Sequence, residues 1–213
     1  MEATASGSTD VFALLPLRLL FWSVGSRLPI MDPIAAALAN PVNRRILERL
    51  PMLDLPQVCL VAGCVWQPYL NLRSGRGVAD QINDYDVFYF DSTDLGFEAE
   101  DKAIRRASLL FQDIDAVIEL RNQARIHLWY PDRFGVPCPP MTSAIEAVSR
   151  FPVLGTCLGL SQSHDGSTVA IAPYGWEDLM QGILRPNPRC VDPGAFARKA
   201  ASYQNRWPWL RIA

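Results

Sequence analysis

Apolar positions recur along the chain in two rhythms, one helical and one strand-like. After Asn40 and Pro41, the residues Val42, Ile46, Leu47 and Leu50 fall on one face at helical spacing. Asparagine as N-cap and proline as first helical residue mark the start of that helix, and Pro51 marks its end. Residues 58–62 are a short apolar stretch suited to a buried strand; Gly63 punctuates it, and residues 64–72 can continue as a helix. The linker Ser74-Gly75-Arg76-Gly77 leads into residues 84–90, where Val87, Phe88, Tyr89 and Phe90 carry strong strand propensity.

Further on, Ala103, Ala107, Leu110 and Phe111 share a helical face, with Glu98, Lys102, Arg105 and Arg106 opposite. Residues 116–120 return as a strand, and a connection of this length carrying a helix predicts a crossover rather than a hairpin. Ser143 with Glu146 forms a capping-box pattern at a short helix. Residues 156–160 and 169–172 flank Asp165-Gly166 as a hairpin, and a final helix runs from Asp192-Pro193 to Ser202. The expected fold is α/β (α+β), a small mixed sheet with helices in which the Asp84 and Glu119 strands are neighbours.

With 213 residues, 49% of them hydrophobic, the chain can bury one sizeable core. Residues 1–30 read as a loosely attached N-terminal extension, with Met31 able to serve as a start, and residues 31–213 as a single domain. The apolar run 11–22 is broken by Arg18 and falls short of the roughly 20 residues that span a bilayer. No basic start precedes it, as a secretory signal would require. A formal net charge of −2 gives no overall attraction to nucleic acid or anionic lipid, so a nucleotide fits better than DNA as partner. The five cysteines are odd in number and widely spaced, which reads as reduced thiols in a cytoplasmic protein.

Asp84-Tyr85-Asp86 opens a strongly apolar strand, and strand alternation puts both carboxylates on one face. Such a pair repels itself and is costly to desolvate unless a cation neutralises it. A second pair, Asp113-Ile114-Asp115, is expected in a solvated helix-to-strand turn. Glu119 sits among Val117, Ile118 and Leu120, so it needs a partner. Arg121 or Arg125 is the structural candidate; the functional alternative joins Glu119 to Asp84 and Asp86 in a two-metal phosphoryl-transfer site.

Leu60-Val61-Ala62-Gly63-Cys64, the segment Asn83 to Asp91 and Glu119 together resemble the polymerase-beta-type nucleotidyltransferase superfamily, whose signature is a glycine turn followed by Asp-x-Asp. More closely, the chain is similar to a mostly bacterial nucleotidyltransferase-like family. That likeness includes the segment Asn122 to Tyr130, the segment Ala172 to Leu179, and Arg185-Pro186-Asn187-Pro188. The resemblance implies that Asp84, Asp86 and Glu119 are catalytic and hold magnesium or manganese. It also implies that Gly63 and Cys64 approach the triphosphate of an NTP. Cys64 stands where a glycine or serine is usual, and Leu158-Gly159-Leu160-Ser161 lacks the family's arginine.

Arg125 can clamp a phosphate as a nucleotide contact, or pair with Glu119 or Asp84. His127 reads as a packed, hydrogen-bonded histidine, and Trp129 and Tyr130 as core residues or a base-stacking surface. Arg185 and Asn187 read as a structural turn, and His164 with Asp165 as a solvated hairpin tip. The sequence therefore predicts a metal-dependent nucleotidyltransferase acting on an NTP and an acceptor it does not identify. The alternatives are a catalytically weakened nucleotide-binding or protein-interaction module on the same fold, motivated by Cys64 and Ser161, and a nucleotide-sugar transferase, which explains neither Gly63 nor Glu119.

Overall fold

A computed structural model describes residues 32–163 and 165–213. The expectations for residues 1–30 and for His164 lie outside the described residues. Asp32 caps α1 (Pro33–Ala39), its Oδ1 accepting from the Ile34 amide at 2.8 Å. Asn40 ends that helix and caps α2 (Pro41–Arg49), accepting from the Val42 amide at 3.0 Å while its Nδ2 donates to the Tyr85 hydroxyl at 3.2 Å. A 3-10 turn, Leu50–Leu53, completes α2, so the expected stop at Pro51 becomes a tightened last turn rather than a break.

Next come β1 (Cys59–Val61), α3 (Gly63–Arg73), β2 (Asp84–Tyr89), α4 (Phe97–Leu110) and β3 (Val117–Asn122). Two helices follow, α5 (Ile126–Phe134) and α6 (Ala144–Val148), then a hairpin of β4 (Gly159–Gln162) and β5 (Thr168–Ile171). The remaining elements are α7 (Glu177–Gln181), β6 (Ile183–Leu184), α8 (Ala195–Arg206) and β7 (Arg211–Ile212). Ser143 caps α6 by accepting from the Glu146 amide at 3.0 Å, while Glu146 reaches back to the Thr142 amide and hydroxyl, both at 2.7 Å.

The main sheet has the order β3-β2-β1-β4-β5. Only β2 and β3 are parallel, because α4 carries the chain back between them; every other pair in this sheet is antiparallel. The fold is thus α/β with a small mixed sheet. One face, through Leu60, Val87, Leu120 and Leu160, packs on the main core with Ile46, Leu47, Trp66 and Leu70. The other face carries a smaller cluster in which Cys59 and Val61 meet Ala144, Val148 and Cys157.

α8 closes the main core against α3. Trp66 packs edge to face with Tyr203 at 4.8 Å and Trp207 at 5.7 Å between ring centroids. Trp207 is buried, so this contact belongs to the core and not to a surface patch.

Candidate active site

Strand register brings the acids together. On β2, Asp84 and Asp86 alternate with the buried Tyr85 and Val87, so both carboxylates point to the partly covered face of the sheet. In the parallel β2–β3 pair, Asp86 lies directly beside Glu119, which therefore shares that face. On its other side Asp86 pairs with Val61, two residues before Gly63, so the glycine turn borders the acid pair.

Electrostatics mark the same place. The Asp86 carboxyl is pushed up to about 6, first by burial and then by the charges of Asp84 and Glu119, with Lys199 and Arg121 opposing. Asp84 and Glu119 are exposed. Glu119 is solvated rather than enclosed by apolar neighbours as its sequence context suggests, because β3 is the edge strand of the sheet. Its Oε2 lies 3.4 Å from an Arg121 nitrogen, the structural partner expected for it.

All three acids offer hard carboxylate oxygens, the donor type that magnesium and manganese prefer. Burial raises the Asp86 carboxyl most, and the neighbouring Asp84 and Glu119 charges add to that. Among the described residues, no three acidic, histidine or cysteine side chains converge on one point. Asp84 and Asp86 share one face of the sheet, and Glu119 lies beside Asp86 while paired with Arg121.

At the turn, Ala62 adopts φ 62°, ψ −143°, a conformation that glycine normally holds. A Cβ at Gly63 would meet only the end of the Gln67 side chain, which would have to shift from its hydrogen bond with Arg206 at 2.8 Å. Cys64 is buried and its thiol donates to the Val61 carbonyl at 3.1 Å; burial holds the thiol well above its ordinary range. The Cys64 side chain therefore faces the protein interior, and only its backbone can approach a nucleotide.

Arg125 lies elsewhere. It follows the C-terminal end of β3, three residues past Asn122, whereas Asp84 begins β2. Its guanidinium pairs with buried Glu100, and its Nε donates to the Leu95 carbonyl at 2.9 Å. The pairing with Glu119 or Asp84 expected from the sequence is not formed, because Glu100 on α4 holds the guanidinium. Glu100 is a partner that sequence reading missed, 25 residues away and in a helix whose exposed side looked charged throughout.

The other sequence candidates resolve individually. Asp113 lies exposed in the helix-to-strand turn, bound by Arg45 and Arg49, as expected for the second acid pair. His127 is half-buried with an unpartnered Nδ1, so it is packed without the expected hydrogen bond. Trp129 and Tyr130 stack with Phe134 on α5, a helix without a fully buried residue, instead of entering the core. Asn187 is buried and donates to the Ser149 and Phe151 carbonyls at 2.8 and 2.7 Å, and Arg185 pairs with Asp178 at 3.0 Å, which makes that loop structural.

A family model described as nucleotidyltransferase matches residues 48–212. The chain is similar to a solved structure described as an NMR structure that reveals a CCA-adding enzyme head domain, at 24% identity and a TM-score of 0.66. The likeness covers 85% of this chain and 94% of that one and shows a shared fold. No curated protein matches the chain.

Proposed function

Because the chain belongs to the nucleotidyltransferase family, we propose that it moves a nucleoside monophosphate from an NTP to an acceptor, with magnesium or manganese held by Asp84 and Asp86. The observation that carries this reading is the register that sets Asp86 directly beside Glu119, with Asp84 on the same face and the Gly63 turn alongside. A divalent ion bound there supplies charge neutralisation for the triphosphate and polarises the α-phosphate.

The protein's own groups do the positioning. The Gly63 turn lets the backbone come close to the phosphates at the start of α3. Glu119 stands on the acceptor side, where it supports an ion or takes the hydroxyl proton. The acceptor oxygen then bonds to the α-phosphorus as the bond to the bridging oxygen breaks, and pyrophosphate leaves. Five free cysteines favour a reducing compartment, which supports a cytoplasmic setting. No helix among the described residues is long and apolar enough to cross a membrane.

The test is pyrophosphate release and labelling of candidate acceptors by the full chain with magnesium or manganese and each NTP. Asp86→Asn is expected to lose both NTP binding and turnover. Glu119→Gln is expected to keep NTP binding and lose turnover by about a hundredfold or more. An equal loss of NTP affinity in both variants contradicts this division of roles. The buried Cys64 thiol and the engaged Glu119 favour one second reading, a binding module on the same fold. NTP binding with no transfer across a broad acceptor screen would establish it.

A further inference from the structure

Asn43 is fully buried on α2, and its side-chain amide reaches both neighbouring helices. Its Nδ2 donates to the Ala37 carbonyl on α1 at 2.9 Å and to the Cys64 carbonyl on α3 at 2.7 Å. The Ala37 carbonyl has a second donor, the Asn40 amide at 3.2 Å. The Cys64 carbonyl has lost its ordinary one. In an α-helix it would accept from the amide four residues on, and that residue is Pro68, which has no N–H. The proline ring also crowds the carbonyl one turn back and turns it away from the helical ladder. Cys64 is itself fully buried, so without Asn43 this carbonyl would lack that donor in a place closed to water.

The carbonyl so held belongs to the first turn of α3. As the first residues of that helix, Gly63 and Cys64 have no carbonyl within it to receive their amides. β1 ends just before them at Val61, the strand partner of Asp86, and the Cys64 thiol donates back to the Val61 carbonyl at 3.1 Å. The turn is therefore pinned at two points, through the Cys64 thiol to the strand that adjoins Asp86 and through the Cys64 carbonyl to α2. The second pin sets the angle at which the free amides stand beside the acids.

We propose that Asn43 is a positioning residue for nucleotide binding: it holds the carbonyl that Pro68 leaves without a helical donor, and so keeps the Gly63 and Cys64 amides turned toward the triphosphate of an NTP. It rests on the nucleotidyltransferase reading above, and it adds to that site a residue that touches no substrate. Asn43 and Pro68 act as a matched pair, the donor missing from one being supplied by the other.

The full chain, in magnesium, is titrated with ATP, GTP, CTP and UTP by calorimetry, and hydrogen exchange is followed by NMR at the Val65 amide, which donates to the Ala62 carbonyl at 3.1 Å. Asn43→Ala is expected to weaken NTP binding about tenfold per folded molecule and to speed exchange at Val65. In the transfer reaction the defect should appear in KM for the NTP and not in kcat. Pro68→Ala gives residue 68 the missing N–H, so combining it with Asn43→Ala is expected to restore most of the affinity. Where Asn43→Ala alone does not fold, that double variant decides: NTP affinity near the wild type supports the assignment, and a folded double variant that keeps the tenfold loss overturns it. Wild-type binding that Asn43→Ala matches, or unchanged exchange at Val65, overturns the assignment and leaves the nucleotidyltransferase reading standing. Absence of NTP binding by the wild type overturns both.

Discussion

Asp86 carries the largest electrostatic burden of the candidate site, and its consequence can be read from the apo protein. Its carboxyl titrates near 6 in the folded chain against an ordinary 3.8, so the folded state binds this proton more tightly than the unfolded state. The associated stability is fully present below about pH 4 and is lost as pH rises through about 6. At about 1.4 kcal/mol per unit the loss is of order 3 kcal/mol. Asp86→Asn removes the titration. Without metal, the variant should therefore gain on the wild type in thermal melts between pH 4 and 6 and keep that gain at pH 8. Adding magnesium should stabilise the wild type and leave the variant unchanged; a wild-type and variant gap that ignores pH would remove the electrostatic argument. The acid pair was legible in the sequence because alternation along a strand is a local property. Glu119's exposure was not, since it depends on β3 lying at the sheet edge. Cys64's inward thiol was equally hidden, because it follows from the unusual Ala62 backbone.

Between elements, the Glu100–Arg125 pair ties α4 to the end of β3. Glu100 Oε1 also accepts from the Asn122 amide at 2.8 Å, and Asn122 in turn holds Asp91 through its side chain. One carboxylate thus fixes the exit of β2, the first turn of α4 and the exit of β3. Both partners are almost fully buried, so removing one leaves the other charge without compensation. Arg125→Ala is expected to lower stability by about 3–5 kcal/mol in urea unfolding. Its NTP affinity, measured on the folded fraction, should match the wild type; a selective loss of affinity would return Arg125 to the nucleotide site. The periodic and capped α2 and the periodic α4 were readable from the sequence, as was the crossover between the parallel strands. The short α1 and the solvent-facing α5 were not. α1 has only seven residues, and α5 buries no complete side chain, so neither writes a strong apolar stripe.

At the scale of the whole molecule, cysteine burial divides the thiols into two classes. Cys59, Cys64 and Cys157 are buried, and burial pushes Cys59 and Cys157 up to about 12 and Cys64 higher than its ordinary range. Cys138 and Cys190 are partly exposed. Under native conditions, alkylation followed by peptide mapping should modify Cys138 and Cys190 and spare the other three until the domain unfolds. Early labelling of Cys64 would show that the turn before α3 opens on its own. Overall architecture was legible because apolar strand runs alternate with amphipathic helical stretches, whereas the α3–α8 partnership joins distant parts of the chain and leaves no local trace. That partnership also has a meaning in time. Gln67 and Arg206 are 139 residues apart, and synthesis proceeds at roughly 5–20 residues per second. For roughly 7–28 seconds, Trp66 is therefore displayed by a nascent chain that has not yet made the aromatic rings that will cover it. During that interval a chaperone can grasp this face, and any pause in translation between the two helices lengthens its opportunity.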